Sequence, residues 1–225
     1  MFPFPAFFVT GTDTGIGKTV TSTSLLQALR ARGMRAVGMK PLASGCEATP
    51  EGWRNEDALA LQAASLPRPD YAVVNPYALP EPLAPEIAAA EAGVSIELAP
   101  LRTAFDQLRL LSDVVVVEGV GGWAAPLSAT LDQADLARAL DLPVVLVVGM
   151  RLGCLNHARL SAAAIAADGL QCVGWVANEV DPDMARRDEN FALLTARLPM
   201  PCWGRIPYQP DADPATRAAH LRLPG

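Results

Sequence analysis

Residues Gly11 to Thr19, GTDTGIGKT, follow the apolar run Phe7 to Val9 and open a helical pattern that continues through Arg30. Strand, glycine-rich turn and helix in that order predict a phosphate-binding loop, and with it a nucleoside triphosphate site. Successive backbone N–H groups and the helix N-terminus offer an anion cradle, Lys18 brings a cation to the β- and γ-phosphates, and the Thr19 hydroxyl can ligate Mg²⁺. Five residues lie between Gly11 and Gly17 where the common pattern has four, and Thr12 stands at the usual glycine position, so the loop is a variant.

At 225 residues, of which 51% are hydrophobic and 19% charged, the chain can bury one substantial core, and a single domain over 1–225 is expected. The net charge of −6, with no Lys/Arg block to offset it, argues against nucleic acid or an anionic membrane as a partner and for small molecules. The start, Met1-Phe-Pro-Phe-Pro, lacks a basic leader region and runs into the loop, which predicts a cytoplasmic protein. No apolar run reaches the length of a membrane span. Cys46, Cys154, Cys172 and Cys202 lie far apart without CxxC spacing and read as reduced packing residues.

Further strands are expected at Ala36 to Pro41, Asp113 to Glu118, Pro143 to Met150, Cys172 to Asn178 and Cys202 to Ile206. Val114 to Val117 and Val144 to Val148 are continuous apolar runs, the pattern of strands buried on both faces. Helical patterns fall between the strands at 18–32, 55–65, 98–111, 131–140, 155–168 and 183–197. The expectation is an α/β P-loop fold, a mostly parallel sheet flanked by helices. The proline-rich stretch 67–86 reads as an ordered surface excursion.

In such a sheet the residues ending each strand converge on one crevice. Those residues are the phosphate loop, Lys40 to Gly45, Glu118 to Gly122, and Asn178. A carboxylate closing a valine run is costly without a partner, so Glu118 points to Mg²⁺ or to a salt bridge at the sheet edge, with the metal favoured. Asp57 stands at a helix start, where capping and metal binding are equally open. Lys40, at a strand end facing phosphates, suits charge stabilisation. The turn Gly119-Val120-Gly121-Gly122 lets backbone approach a ligand, though a tight strand exit alone would also favour glycine. His157 near a helix start reads as packing, and no zinc site is expected.

GTDTGIGKT, KPLASG with the later RNEDALAL, VEGVGGW, VVGMRLGCLNHA and GWVANEV occur in the order found in dethiobiotin synthetases, and the resemblance covers almost the whole chain. It implies synthesis of dethiobiotin from 7,8-diaminopelargonic acid, CO₂ and ATP with Mg²⁺: a carbamate forms on one amine, ATP phosphorylates it, and the other amine closes the ring. It implies catalytic roles for Lys18 and Lys40 toward carbamate and phosphoryl oxygens, and for Thr14 and Ser44 as hydrogen-bonding partners of the reacting end. Thr19, Asp57 and Glu118 match the metal positions, which moves Asp57 from undecided to metal site. Nucleotide contacts are implied for Gly15, Ile16, Gly17, Lys18, Thr19 and Val20, for Asp57, and for Glu118, Gly119, Val120 and Gly121. Asn178 and Glu179 on one side and Pro207 and Tyr208 on the other are the implied base walls. Gly153, Cys154, Leu155 and Asn156 resemble the segment that receives the substrate's carboxylate tail across the twofold axis of a homodimer. Gly15 stands where relatives often have an acidic residue, and Asn190 where some have tyrosine near the tail. Two rivals remain: a nucleotide-dependent switch or partitioning protein, which would carry an added lysine early in the loop that 11–16 lacks, and an amidoligase acting on a larger carboxylate.

Overall fold

Six strands that run parallel make the central sheet: β1 (Ala6–Gly11), β2 (Ala36–Met39), β3 (Val114–Glu118), β4 (Val144–Met150), β5 (Cys172–Glu179) and β6 (Cys202–Ile206). Their order across the sheet is β6-β5-β4-β1-β3-β2. These are the strands expected from the apolar runs, in a computed structural model that describes residues 2–225. All residues of β1 to β4 are buried, which explains why their sequences run apolar without alternation.

Helices cover both faces. Phe7, Val9, Val116 and Val147 pack toward Leu25, Leu26 and Leu29 of α1 (Lys18–Ala31) and Leu61 of α2 (Glu56–Ala64). Phe8, Val117, Leu146 and Val148 face the other layer, built from α3 (Leu98–Leu111), α4 (Gln133–Ala139), α5 (Cys154–Ala167) and α6 (Arg187–Arg197). Neighbouring residues of one strand thus feed two cores, as the period of two in a strand requires.

The registers place the chemistry. Met39 pairs with Val117, so the next residues, Lys40 and Glu118, leave adjacent strands at the same level. Glu118 pairs with Val9 on the other side, two residues before the phosphate loop.

Differences from expectation have local causes. Helix α4 begins at Gln133, because Leu131–Asp132 pairs with Pro126–Ser128 and Asp132 then forms a capping box with Asp135. Helix α6 begins at Arg187, four residues late, after the Asp181-Pro182 turn. The 67–86 excursion is ordered and carries a one-turn helix, Tyr71–Val74, and a strand, Tyr77–Ala78, that pairs in parallel with Leu42–Ala43. Pro85 opens a further helix, Pro85–Glu91, at the position where proline costs no hydrogen bond. All four cysteines are free.

Candidate active site

The phosphate loop leaves β1 at Gly11 and enters α1 at Lys18, with Gly17 as the helix cap at φ 79°. A Cβ on Gly17 would stand 2.0 Å from Asn178 Nδ2, so glycine here is required by both backbone conformation and space. Asn178 Nδ2 in turn donates to the Ile16 carbonyl at 2.9 Å, tying the loop to the end of β5. Lys18 Nζ donates to the Asp13 carbonyl at 3.1 Å, across the mouth of the loop. Burial lowers the Lys18 pKa to about 8, and the neighbouring Lys40 cation adds to the effect.

Below the loop lies an ion cluster, buried at Lys40 and Glu118 and half-buried at Asp57. Lys40 Nζ donates to Glu118 Oε1 at 2.7 Å, to Asp57 Oδ2 at 3.0 Å and to the Gly119 carbonyl at 3.3 Å. The Thr19 hydroxyl donates to the same Glu118 oxygen at 2.8 Å. Burial would lower the Lys40 pKa, but the carboxylates of Glu118 and then Asp57 outweigh it and hold the ammonium above its ordinary value. Burial would raise the Asp57 pKa, and the Lys40 cation reverses this, lowering it. The sheet-edge salt bridge weighed for Glu118 is therefore present, and its partner is Lys40. Capping by Asp57 is not present: Asn55 Oδ1 accepts from the N–H groups of Asp57 and Ala58, so the Asp57 carboxylate is free to face the cluster.

The donor set fits a hard divalent cation. Glu118 is fully buried and its Oε2 has no hydrogen-bond partner, an orphaned acceptor that is costly to leave unsatisfied. With Asp57 and the Thr19 hydroxyl it offers oxygen ligands only, too few for a closed protein cage, and leaves the other positions to phosphates and water in the manner of Mg²⁺. Among the described residues no three His, Cys, Asp or Glu side chains group as a metal site by themselves.

A cavity of about 460 Å³ opens above this cluster, lined among others by Thr14, Lys18, Thr19, Lys40, Ser44 and Asp57. Gly15, Gly17 and Val20 border both it and a second cavity of about 260 Å³, whose walls include Asn178, Glu179, Pro207 and Tyr208. The two form one trough over the loop, polar and cationic at one end. The smaller end suits a nucleotide base and the larger end phosphates with a second substrate.

A family model described as an AAA domain matches residues 5–216. ATP-dependent dethiobiotin synthetase of Xanthomonas axonopodis pv. citri is 76% identical over 220 residues, covering 98% of this chain and 98% of that protein. The synthetase of Xanthomonas oryzae pv. oryzae is 74% identical over the same share of both chains. The chain belongs to the dethiobiotin synthetase family. Its fold is also that of the MinD cell division protein of Aquifex aeolicus, with a TM-score of 0.55 at 13% identity over 95% of this chain and 86% of that one.

Of the positions that the dethiobiotin synthetase motifs imply, those for phosphate, metal and reacting end line the trough with three exceptions. Glu118 is fully buried beneath it and hydrogen-bonded to Thr19 and Lys40, and Gly119 offers its carbonyl to Lys40. Ile16 takes part through its backbone, its side chain being buried. Glu179 borders the base cavity, but its carboxylate is occupied, accepting from Arg187 at 2.9 Å and from Arg205 at 2.6 Å. Gly153 to Asn156 stand apart: they open α5 and do not line the trough of their own chain.

Several residues were not anticipated. Asn75 Nδ2 donates to the Lys40 carbonyl at 2.7 Å and the Val74 carbonyl accepts from the Lys40 N–H at 2.8 Å, so the proline-rich excursion clamps the Lys40 backbone. Gln133 Oε1 accepts from the Val120 N–H at 2.8 Å and sits where a Cβ on Gly119 would be. Arg217 borders the base cavity and donates to the Gln209 and Pro210 carbonyls. Asn55, immediately before an acidic pair at a helix start, carried a capping signal in sequence; Gln133 and Asn75 carried none.

Proposed function

We propose that this chain is an ATP-dependent ligase of biotin biosynthesis that closes 7,8-diaminopelargonic acid with CO₂ to give dethiobiotin, ADP and phosphate. The observation that carries the reading is the Lys18, Lys40, Asp57 and Glu118 cluster beneath a cavity bordered by Thr14 and Ser44, in a chain with this family membership. One substrate amine adds to CO₂ and loses a proton, giving a carbamate. A carbamate oxygen attacks the γ-phosphorus of ATP, the bond to ADP breaks, and a carbamic-phosphoric anhydride results. The second amine attacks its carbonyl carbon and loses a proton, phosphate leaves with the bridging oxygen, and the cyclic urea closes.

Each step gathers negative charge on oxygens and needs alignment more than proton chemistry. Lys18, at the start of α1, neutralises the transferring phosphoryl group. Lys40, held by the Val74 and Asn75 contacts, faces the carbamate. The hydroxyls of Thr14 and Ser44 donate to the carbamate end and orient it. Mg²⁺ would be held by Thr19, Asp57 and Glu118 and would supply positive charge against the phosphate oxygens.

The proposal includes a homodimer. In it the start of α5, Gly153 to Asn156, receives the diamine's carboxylate from the partner's trough; the Cys154 and Asn156 N–H groups already donate to the Arg151 and Gly153 carbonyls, which leaves those of Gly153 and Leu155 for the carboxylate. Support comes from Leu152, 92% exposed just before that helix, and Leu160, 61% exposed within it, and from the absence of residues 153–156 from the lining of their own chain's trough. The cytoplasm is the proposed location; no described helix is long and apolar enough to cross a membrane.

Mass spectrometry of a reaction containing ATP, Mg²⁺, bicarbonate and the diamine tests the function. Dethiobiotin and ADP in equal amounts are expected. ADP release without a urea product would favour the switch reading.

A further inference from the structure

Lys40 occupies an unusual place for a catalytic cation. Its ammonium lies between the two carboxylates assigned to the metal, 2.7 Å from Glu118 and 3.0 Å from Asp57, with its side chain only 4% exposed. The Thr19 hydroxyl also spends its proton on the Glu118 oxygen that Lys40 engages. Each of the three residues assigned to the metal thus already has one oxygen engaged with Lys40 or with Glu118. Glu118 Oε2 is buried without a partner, and Asp57 engages Lys40 through Oδ2 alone.

We propose that the Lys40 ammonium is an internal stand-in for the divalent cation, neutralising Glu118 and Asp57 in the metal-free protein and released toward the substrate end of the trough when the cation binds. The inference rests on the metal reading above. A buried Glu118 without a neighbouring cation would carry a large desolvation cost, so the fold needs a positive charge there before any nucleotide arrives. A dication bound to the same carboxylates would repel an ammonium at these distances and would remove the attraction that holds it. The side chain has somewhere to go, since Lys40 also borders the cavity lined by Ser44 and Thr14. Its backbone stays fixed by Val74 and Asn75, so the motion is confined to the side chain. Metal occupancy and presentation of the catalytic ammonium to the carbamate then become one event. The lysine is turned toward substrate only when the phosphate-neutralising cation is in place.

The test is Mn²⁺ binding to nucleotide-free protein, followed by electron paramagnetic resonance. Removing the competing ammonium in Lys40→Met should tighten Mn²⁺ binding by roughly tenfold or more, and adding Glu118→Gln should abolish the gain. Wild-type protein supplies a second readout that does not depend on a variant folding. The lysine-ammonium NMR signal of Lys40, identified by its loss in Lys40→Arg, should be protected without metal and should shift or broaden when Mg²⁺ and a non-hydrolysable nucleotide are added. Unchanged Mn²⁺ affinity in folded Lys40→Met, or an ammonium signal indifferent to Mg²⁺, overturns the stand-in role. Loss of metal in Glu118→Gln alongside either result would leave the metal site intact and reject only the exchange; wild-type metal binding in Glu118→Gln and Asp57→Asn would reject the metal site itself.

Discussion

Asn55 and Asp57 divide the work at the start of α2: the Asn55 amide oxygen accepts from the Asp57 N–H at 3.0 Å and the Ala58 N–H at 3.2 Å, while the Asp57 carboxylate turns to Lys40. A cap supplied by Asp57 would have taken its charge out of the cluster. The neighbouring asparagine makes a cluster-facing aspartate compatible with a well-started helix.

Asn55→Ala should therefore act at two levels. Loss of the cap should lower stability by about 1 kcal/mol, a few degrees in Tm for a chain of this size. The Asp57 carboxylate, freed to compete for the vacated N–H groups, should leave the cluster part of the time and raise the Mg²⁺ concentration needed for half-maximal turnover. Calorimetry and a Mg²⁺ titration of activity read the two effects separately. A stability loss with unchanged Mg²⁺ dependence would show that Asn55 caps without orienting Asp57.

Lys18 sits in the loop at a cost to the nucleotide-free fold. Burial first, then Lys40, lowers its pKa from 10.5 to about 8, so the unfolded chain binds more protons across that interval. The cost is fully present below about pH 8 and fades as pH rises toward the unfolded value. Lys18→Met should be more heat-stable than wild type near neutrality, by a margin that narrows above about pH 8, while turnover falls more than roughly a hundredfold. Thermal scans across pH with matched turnover assays check both. A variant that is less stable than wild type at neutral pH would mean that the bond to the Asp13 carbonyl outweighs the buried charge.

Much of this architecture was legible beforehand, for identifiable reasons. Continuous valines gave β3 and β4 their double burial, and Cys202 to Ile206 was bounded correctly at both ends. Strand-end positions brought Lys40, Glu118 and Asn178 together, because parallel strands deliver their C-termini to one edge. Pairing was not legible. That Lys40 is the partner of Glu118 depends on Met39 standing opposite Val117, and register between strands 78 residues apart leaves no local mark. The contacts of Asn75 and Gln133 are likewise long-range hydrogen bonds to backbone, made by residue types that are common on surfaces.

Lys40→Gln should separate binding from chemistry. Lys40 reaches no part of the base cavity, so nucleotide affinity should change by less than about threefold, while urea formation falls by more than roughly a hundredfold. Gln also leaves the Glu118 carboxylate without its nearest cation, which predicts lower thermal stability that Mg²⁺ partly restores. Nucleotide titration, single-turnover product formation and calorimetry with and without Mg²⁺ distinguish these effects. Equal losses in nucleotide affinity and catalytic efficiency would make Lys40 a ground-state nucleotide contact instead.

The proposed shared tail site carries a sharper test, since the start of α5 does not line its own trough and Leu152 and Leu160 are exposed on the same stretch. Lys40→Ala leaves residues 153–156 intact, and Asn156→Asp places a repelling charge among the N–H groups while leaving Lys40 intact. If the carboxylate tail is received across a twofold axis, each mixed dimer combines both lesions in one site and leaves the other whole. Random exchange of equal amounts puts half the dimers in the mixed form, each with one working site of two, so activity should recover to about a quarter of wild type. Each variant alone should be nearly inactive at low diamine. Confirmed exchange without recovery would return Asn156 to its own subunit's site or to the start of α5, and the exposed leucines would need another partner.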